Sequence, residues 1–124
     1  MKSILLIHVI LSVLVFTTPI FAGDKKLPLA DGEYNFEYKD AEFSHLKGFD
    51  LLVKISKYHI VVINQSESEV MPKGIIDEGE LKFHTRSNQW IISTEESDIL
   101  AEDVGGCSDG PTVVDLVNKI YWTC

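Results

Sequence analysis

The feature that most constrains this chain is a period-two alternation, cut into short runs by turn residues from Gly32 onward. In EYNFEY (Glu33–Tyr38) the aromatics Tyr34, Phe36 and Tyr38 share one face, and Glu33, Asn35 and Glu37 share the other. A strand buried on one side requires that pattern, and no helix produces it. LLVKI (Leu51–Ile55) and HIVVIN (His59–Asn64) follow as a hairpin turned at Ser56-Lys57-Tyr58. A polar loop from Ser66 to Gly74, broken by Pro72, leads to GIIDEGE, where Asp77-Glu78-Gly79 reads as a turn. In LKFH, Leu81 and Phe83 point inward while Lys82 and His84 point out; Arg86-Ser87-Asn88 then turns the chain into QWIIST (Gln89–Thr94).

The remainder supports more than one assignment. Ser93–Gly106 carries capping residues, with Glu95 and Glu96 in a first turn, so one short helix fits near 95–104. In Thr112–Thr123, Val113, Leu116, Val117 and Ile120 have helical spacing, and Thr112 with Asp115 would make a capping box. The Val, Thr, Ile, Tyr and Trp composition instead favours two strands turned at Asn118-Lys119. The expected fold is therefore mainly β: a small antiparallel meander of six to eight short strands. It closes as a barrel or packs as a two-layer sandwich, because open sheet edges invite aggregation.

Ahead of this domain, Met1-Lys2, the apolar run Ile4–Phe16 and the small Ala22 follow the order of a secretory signal peptide. The apolar run is too short to span a bilayer, which needs about 20 residues. We read 1–22 as a signal peptide, 23–31 as a flexible lead-in and 32–124 as a single domain, with no membrane span after cleavage and a periplasmic or secreted destination. The domain is about 100 residues, a size whose core is modest.

Export gives meaning to the only two cysteines, Cys107 and Cys124. In an oxidising compartment an even count favours a disulfide. Closing about 17 residues is worth on the order of 3 kcal/mol in the chain-entropy model. A zinc site wants four ligands at short spacing, and a thiol nucleophile wants a nearby histidine. Neither surrounds these sulfurs in sequence. A bridge between two chains is the remaining alternative and would give a dimer.

Charge narrows the partners. The formal net charge is −8, and no Lys/Arg cluster suits a nucleic acid. Glu95, Glu96, Asp98, Glu102, Asp103 and Asp109 gather around the glycines, and we take them as the candidate contact for a cationic protein. Calcium would need six to eight converging oxygens, and the spacing matches no EF-hand loop; no metal or cofactor is expected. The sequence has no G-x-S-x-G elbow, phosphate loop or H-E-x-x-H, so it is read as non-enzymatic. Asn64-Gln65-Ser66 is a glycosylation sequon where the source cell glycosylates.

These features point to an exported binding domain, an inhibitor or immunity-type partner of a cationic secreted or envelope protein. A small-ligand-binding barrel and a small hydrolase are the alternatives. In size, export, acidity and a stapling disulfide, the chain is similar to small exported β-barrels that inhibit secreted hydrolases, such as bacterial lysozyme inhibitors. That likeness implies a class and carries over no site residue.

Overall fold

The computed structural model describes residues 25–69 and 71–124; the expected signal peptide lies outside them. The described chain forms β1 (Gly32–Asp40), β2 (Asp50–Ser56), β3 (His59–Asn64), β4 (Gly74–His84), β5 (Gln89–Ser93), a 3-10 helix (Glu96–Leu100), β6 (Thr112–Asp115) and β7 (Ile120–Thr123). Neighbours in sequence pair antiparallel, and the sheet closes as a barrel in the order β1 to β7. Thr112–Thr123 thus resolves into two strands turned around Asn118-Lys119, as its composition favours.

An odd number of alternating strands leaves the first and last running the same way, so the closing pair has to be parallel. It is: Glu37, Tyr38, Lys39 and Asp40 of β1 lie beside Ile120, Tyr121, Trp122 and Thr123 of β7. The amides of Glu37 and Ala41 extend this seam, donating to the carbonyls of Lys119 (2.9 Å) and Thr123 (2.8 Å).

Period two fills the interior. Phe36, Val53, Ile60, Val62, Leu81 and Val114 point inward and are almost fully buried, joined by Trp90 and Tyr121. Each such aliphatic or aromatic side chain contributes roughly 1.5–3 kcal/mol of burial. The β2–β3, β4–β5 and β6–β7 turns gather at one end of the barrel, the hairpin end. There residues 25–31 are fastened across the opening. Leu27 and Leu29 pack on the core, Tyr34 Oη donates to the Ala30 carbonyl (2.6 Å), and the Lys57 amide donates to Asp31 Oδ1 (2.6 Å). The longer connections meet at the other end, the loop end.

Three local expectations change. Asp77-Glu78-Gly79 is no turn: β4 runs unbroken through it, passing from pairing with β3 to pairing with β5 near Gly79 and Glu80. A Cβ at Gly79 would stand 2.5 Å from the Ser93 carbonyl oxygen, so this glycine serves close strand approach. Asn64 is almost fully buried. Its Nδ2 donates to the carbonyls of Met71 (3.3 Å) and Pro72 (3.1 Å), so a glycan has no access in the fold.

His84 is the third. It faces outward as its strand parity requires, yet its exposure is 0%. The connection from β5 to β6 explains why. Residues 94–111 leave the barrel and return as a strap over the outer face of the sheet, burying Ile91 and Val113 as well. His84 Nδ1 accepts from the Ser87 amide (3.2 Å), which places the ring proton on Nε2; Nε2 donates to the Ala101 carbonyl (2.7 Å). Gly105 lies so close to Val113 that a Cβ would meet its Cγ2 at 2.6 Å.

The disulfide holds this strap. Cys107 in the strap and Cys124 beyond β7 are bonded, with Cα atoms 4.9 Å apart. The bridge therefore fixes the outer layer and the end of the closing strand together. We expect reduction, or the Cys107→Ser/Cys124→Ser double variant, to cost about 3 kcal/mol in urea unfolding. His84→Ala should cost about 2–4 kcal/mol by removing buried volume and leaving the Ala101 carbonyl unpaired. Losses under about 0.5 kcal/mol, within the range of ordinary surface changes, would show that the strap is not part of the cooperative fold.

Candidate functional site

At the loop end the barrel is not fully sealed. The first half of β4 pairs only with β3, and the 3-10 helix and residues 109–111 stand where β5 and β6 do not reach. A polar recess of about 350 Å³ results, lined by Asp77, Ile92, Thr94, Glu95, Asp98, Asp109, Gly110, Pro111 and Thr112. Four carboxylates line it, spread around its wall rather than gathered on one point.

Each is placed by a local cause. Glu95 and Asp98 form a capping box at the start of the 3-10 helix, and the Asp98 amide donates to the Glu95 carbonyl (3.2 Å). Asp98 Oδ2 also accepts from the Thr94 amide (2.8 Å) and the Glu95 amide (3.0 Å). Desolvation pulls the Asp98 pKa up, but those two amides, the Ser93 hydroxyl and the Lys82 charge together outweigh it. The carboxyl is held below its ordinary range, so it stays charged to lower pH. Asp77 is set differently: it lies opposite Val62 on the inward face and accepts from the Tyr121 hydroxyl at 2.9 Å. Burial, then the Asp77 charge and hydrogen bond, push the Tyr121 pKa far above its ordinary value.

Of the six acidic residues singled out from the sequence, the fold brings Glu95, Asp98 and Asp109 into this recess. Glu96 lies in the first turn of the 3-10 helix, and Glu102 and Asp103 are exposed on the strap; none of these three lines it. Asp77 was missed. Its signal was available: counting back in twos from Phe83 and Leu81 puts Asp77 on the inward face, a position where a carboxylate is unusual. Reading a turn there concealed it.

Both ends carry mixed charge, with Lys39, Lys47 and Lys73 at the loop end and Asp31 and Glu33 at the hairpin end, but the balance differs between them. Asp40, Glu42, Asp50, Glu67 and Glu69 stand on the loop end with the recess. The three hairpin turns opposite carry Lys57, Arg86 and Lys119, and the lead-in adds Lys25 and Lys26.

Other groups with reactive chemistry are engaged elsewhere. His84 and Ser87 make a 2.7 Å Nδ1–Oγ contact, the spacing of a nucleophile and its base. The ring is sealed beneath Ala101, however, and borders neither the recess nor its rim. His59 pairs with Glu78 on the surface at 2.9 Å. Glu42, Cys107 and Cys124 form the one potential metal-ligand group among the described residues, but its two sulfurs are bonded to each other. No family model, curated protein or solved structure matches this chain.

Two pH effects follow, of opposite sign. Asp98 and Asp115 have lowered folded pKa values, so the stability they add is present above their ordinary value of 3.8 and is lost as pH falls through the folded values. Tyr121 has a raised folded pKa, so its contribution is present below its ordinary value of 10.0 and is lost as pH rises above it. Denaturation series from pH 2 to 11 should show both arms. Tyr121→Phe should flatten the alkaline arm while costing about 2 kcal/mol at neutral pH through the lost bond to a carboxylate. An unchanged alkaline arm would count against the Tyr121–Asp77 pair as its source.

Proposed function

We propose that this chain is an exported, non-enzymatic protein-binding domain whose loop end receives basic side chains of a cationic partner. The observation that carries the reading is that Asp77, Glu95, Asp98 and Asp109 line a single recess. The recess is large enough for a lysine or arginine head, which needs several oxygen acceptors to replace its water. The four carboxylates come from a barrel strand, a helix cap and the end of the strap, so partner and fold would meet on fixed elements. The surrounding acidic end, in a chain of net charge −8, would steer a cationic protein toward it and raise the association rate.

An inhibitor or immunity-type role suits this chemistry, since occupying a basic surface of a secreted or envelope protein requires only complementarity. Export supports the same setting. The disulfide, and the lack of any helix among the described residues long and apolar enough to cross a membrane, are compatible with an exported chain. Release into the periplasm or medium follows from the N-terminal signal reading. The mass of the exported chain should then begin after Ala22 or Gly23, with neither sulfur alkylated before reduction.

The test of function is affinity capture from the native compartment with the chain and with its Glu95→Lys/Asp109→Lys variant. We expect a partner of basic isoelectric point, bound in a salt-sensitive manner. The variant should bind it about 10- to 100-fold more weakly, mainly through slower association. Equal retention by both proteins would rule the recess out as the contact. Ser87 should resist a serine-directed fluorophosphonate; its labelling would favour the hydrolase alternative.

A further inference from the structure

A second concavity lies at the hairpin end, with chemistry opposite to the first. Its volume is about 320 Å³, at the lower end of the range for small-molecule sites. Phe83, Trp90, Val114 and Leu116, all inward-facing, form its walls, and Trp122 of β7 closes one side. At its mouth stands Lys25, whose Nζ lies 3.9 Å from the centre of the Phe83 ring. Among the described residues this ammonium makes no ion pair. The aromatic face holds this cation at the recess mouth, where an incoming carboxylate can meet it.

The surroundings carry more cations than carboxylates, Asp31 and Glu33 being the acidic residues of the lead-in and the start of β1. Lys26, Lys57, Arg86 and Lys119 ring the end on the lead-in and the three turns. One carboxylate also borders the recess, Asp115, but its oxygens are turned into the β6–β7 turn. They accept from the Val117 amide (3.0 Å), the Asn118 amide (2.8 Å) and Asn118 Nδ2 (2.9 Å). In a chain of net charge −8, the basic residues outnumber the acidic ones at the rim of this recess.

We infer that this recess binds a small apolar anion, an aromatic or medium-chain carboxylate. Its ring or chain lies against Trp90, Phe83 and Val114, and its carboxylate meets Lys25. The apolar walls supply affinity in proportion to the area they cover, and the ammonium selects the charge. The inference does not rest on the acidic recess, and its failure would leave the protein-binding reading untouched.

The chain contains two tryptophans, and both line this recess, so intrinsic fluorescence reports on it directly. Octanoate, kept monomeric, should change the emission saturably with one-to-one stoichiometry. Octanol should bind more weakly, and octylammonium should give no saturable change. Lys25→Gln, at an exposed position, should keep the parent's circular dichroism and melting curve. It should weaken octanoate about tenfold while leaving octanol within about twofold. Phosphatidylglycerol vesicles separate a free carboxylate from an anionic lipid surface. Binding to vesicles without binding of octanoate would overturn the inference in favour of adsorption through the basic ring. It would equally be overturned by the absence of a saturable octanoate response, by equal affinities for octanoate and octanol, or by a Lys25→Gln variant that binds octanoate as the parent does.

Discussion

Everything in this structure depends on a seam four residues long. Six antiparallel pairings follow from chain order and turn geometry, but the parallel pairing of β1 with β7 joins segments about eighty residues apart in sequence. Without it, two strand edges would stand open, and open edges recruit other chains. The disulfide secures the seam from just beyond its end: Cys124 follows β7 directly and is tied back to Cys107. A small core gains more from such a constraint than a large one, because its margin of stability is thinner.

The same bridge organises the second layer. A tight hairpin between β5 and β6 would have exposed Ile91, Val113 and the His84 ring. The strap instead covers them, and its ends define the acidic recess: the capping box of Glu95 and Asp98 where it departs, Asp109 where it returns. One excursion therefore seals an apolar face and gathers charge. The cost of bringing carboxylates together is lowered where amides and a hydroxyl satisfy their oxygens, as at Asp98.

Much of the barrel was legible because its causes are local. Tyr34, Phe36 and Tyr38 announce β1 by alternation, and the β-branched and aromatic residues of Thr112–Thr123 outweigh an incidental helical spacing. The short helix near residues 95–104 was legible through its caps. The errors arise where distant chain intervenes. His84 has the parity of an exposed residue, and only a strap seventeen residues later in sequence covers it. Gly79 resembles a turn glycine, and only its closeness to Ser93 on β5 shows why a strand needs it there. Leu27 and Leu29 sit in a polar segment whose apolar pair carries no period, so their packing on the core depends on a barrel end not yet built. The candidate site divides along the same line. Glu95, Asp98 and Asp109 were readable as neighbours in sequence, whereas Asp77 joins them only through closure of the sheet.

The recess at the loop end is lined by carboxylates and the one at the hairpin end by apolar side chains with Lys25 at its mouth, and the buried core lies between them. They nonetheless share a wall. Thr112, the first residue of β6, borders the acidic recess, and Val113, Val114 and Asp115, the remaining three, border the apolar one. Tyr121 on the neighbouring strand stands opposite Val114 and reaches Asp77 in the acidic recess. Any displacement of Val114 by a ligand at the hairpin end would therefore press on the residue that positions Asp77 at the other. A strand of four residues has little freedom to absorb such a shift, and the disulfide-bonded strap in front of it and the closing seam behind it remove most of what freedom remains.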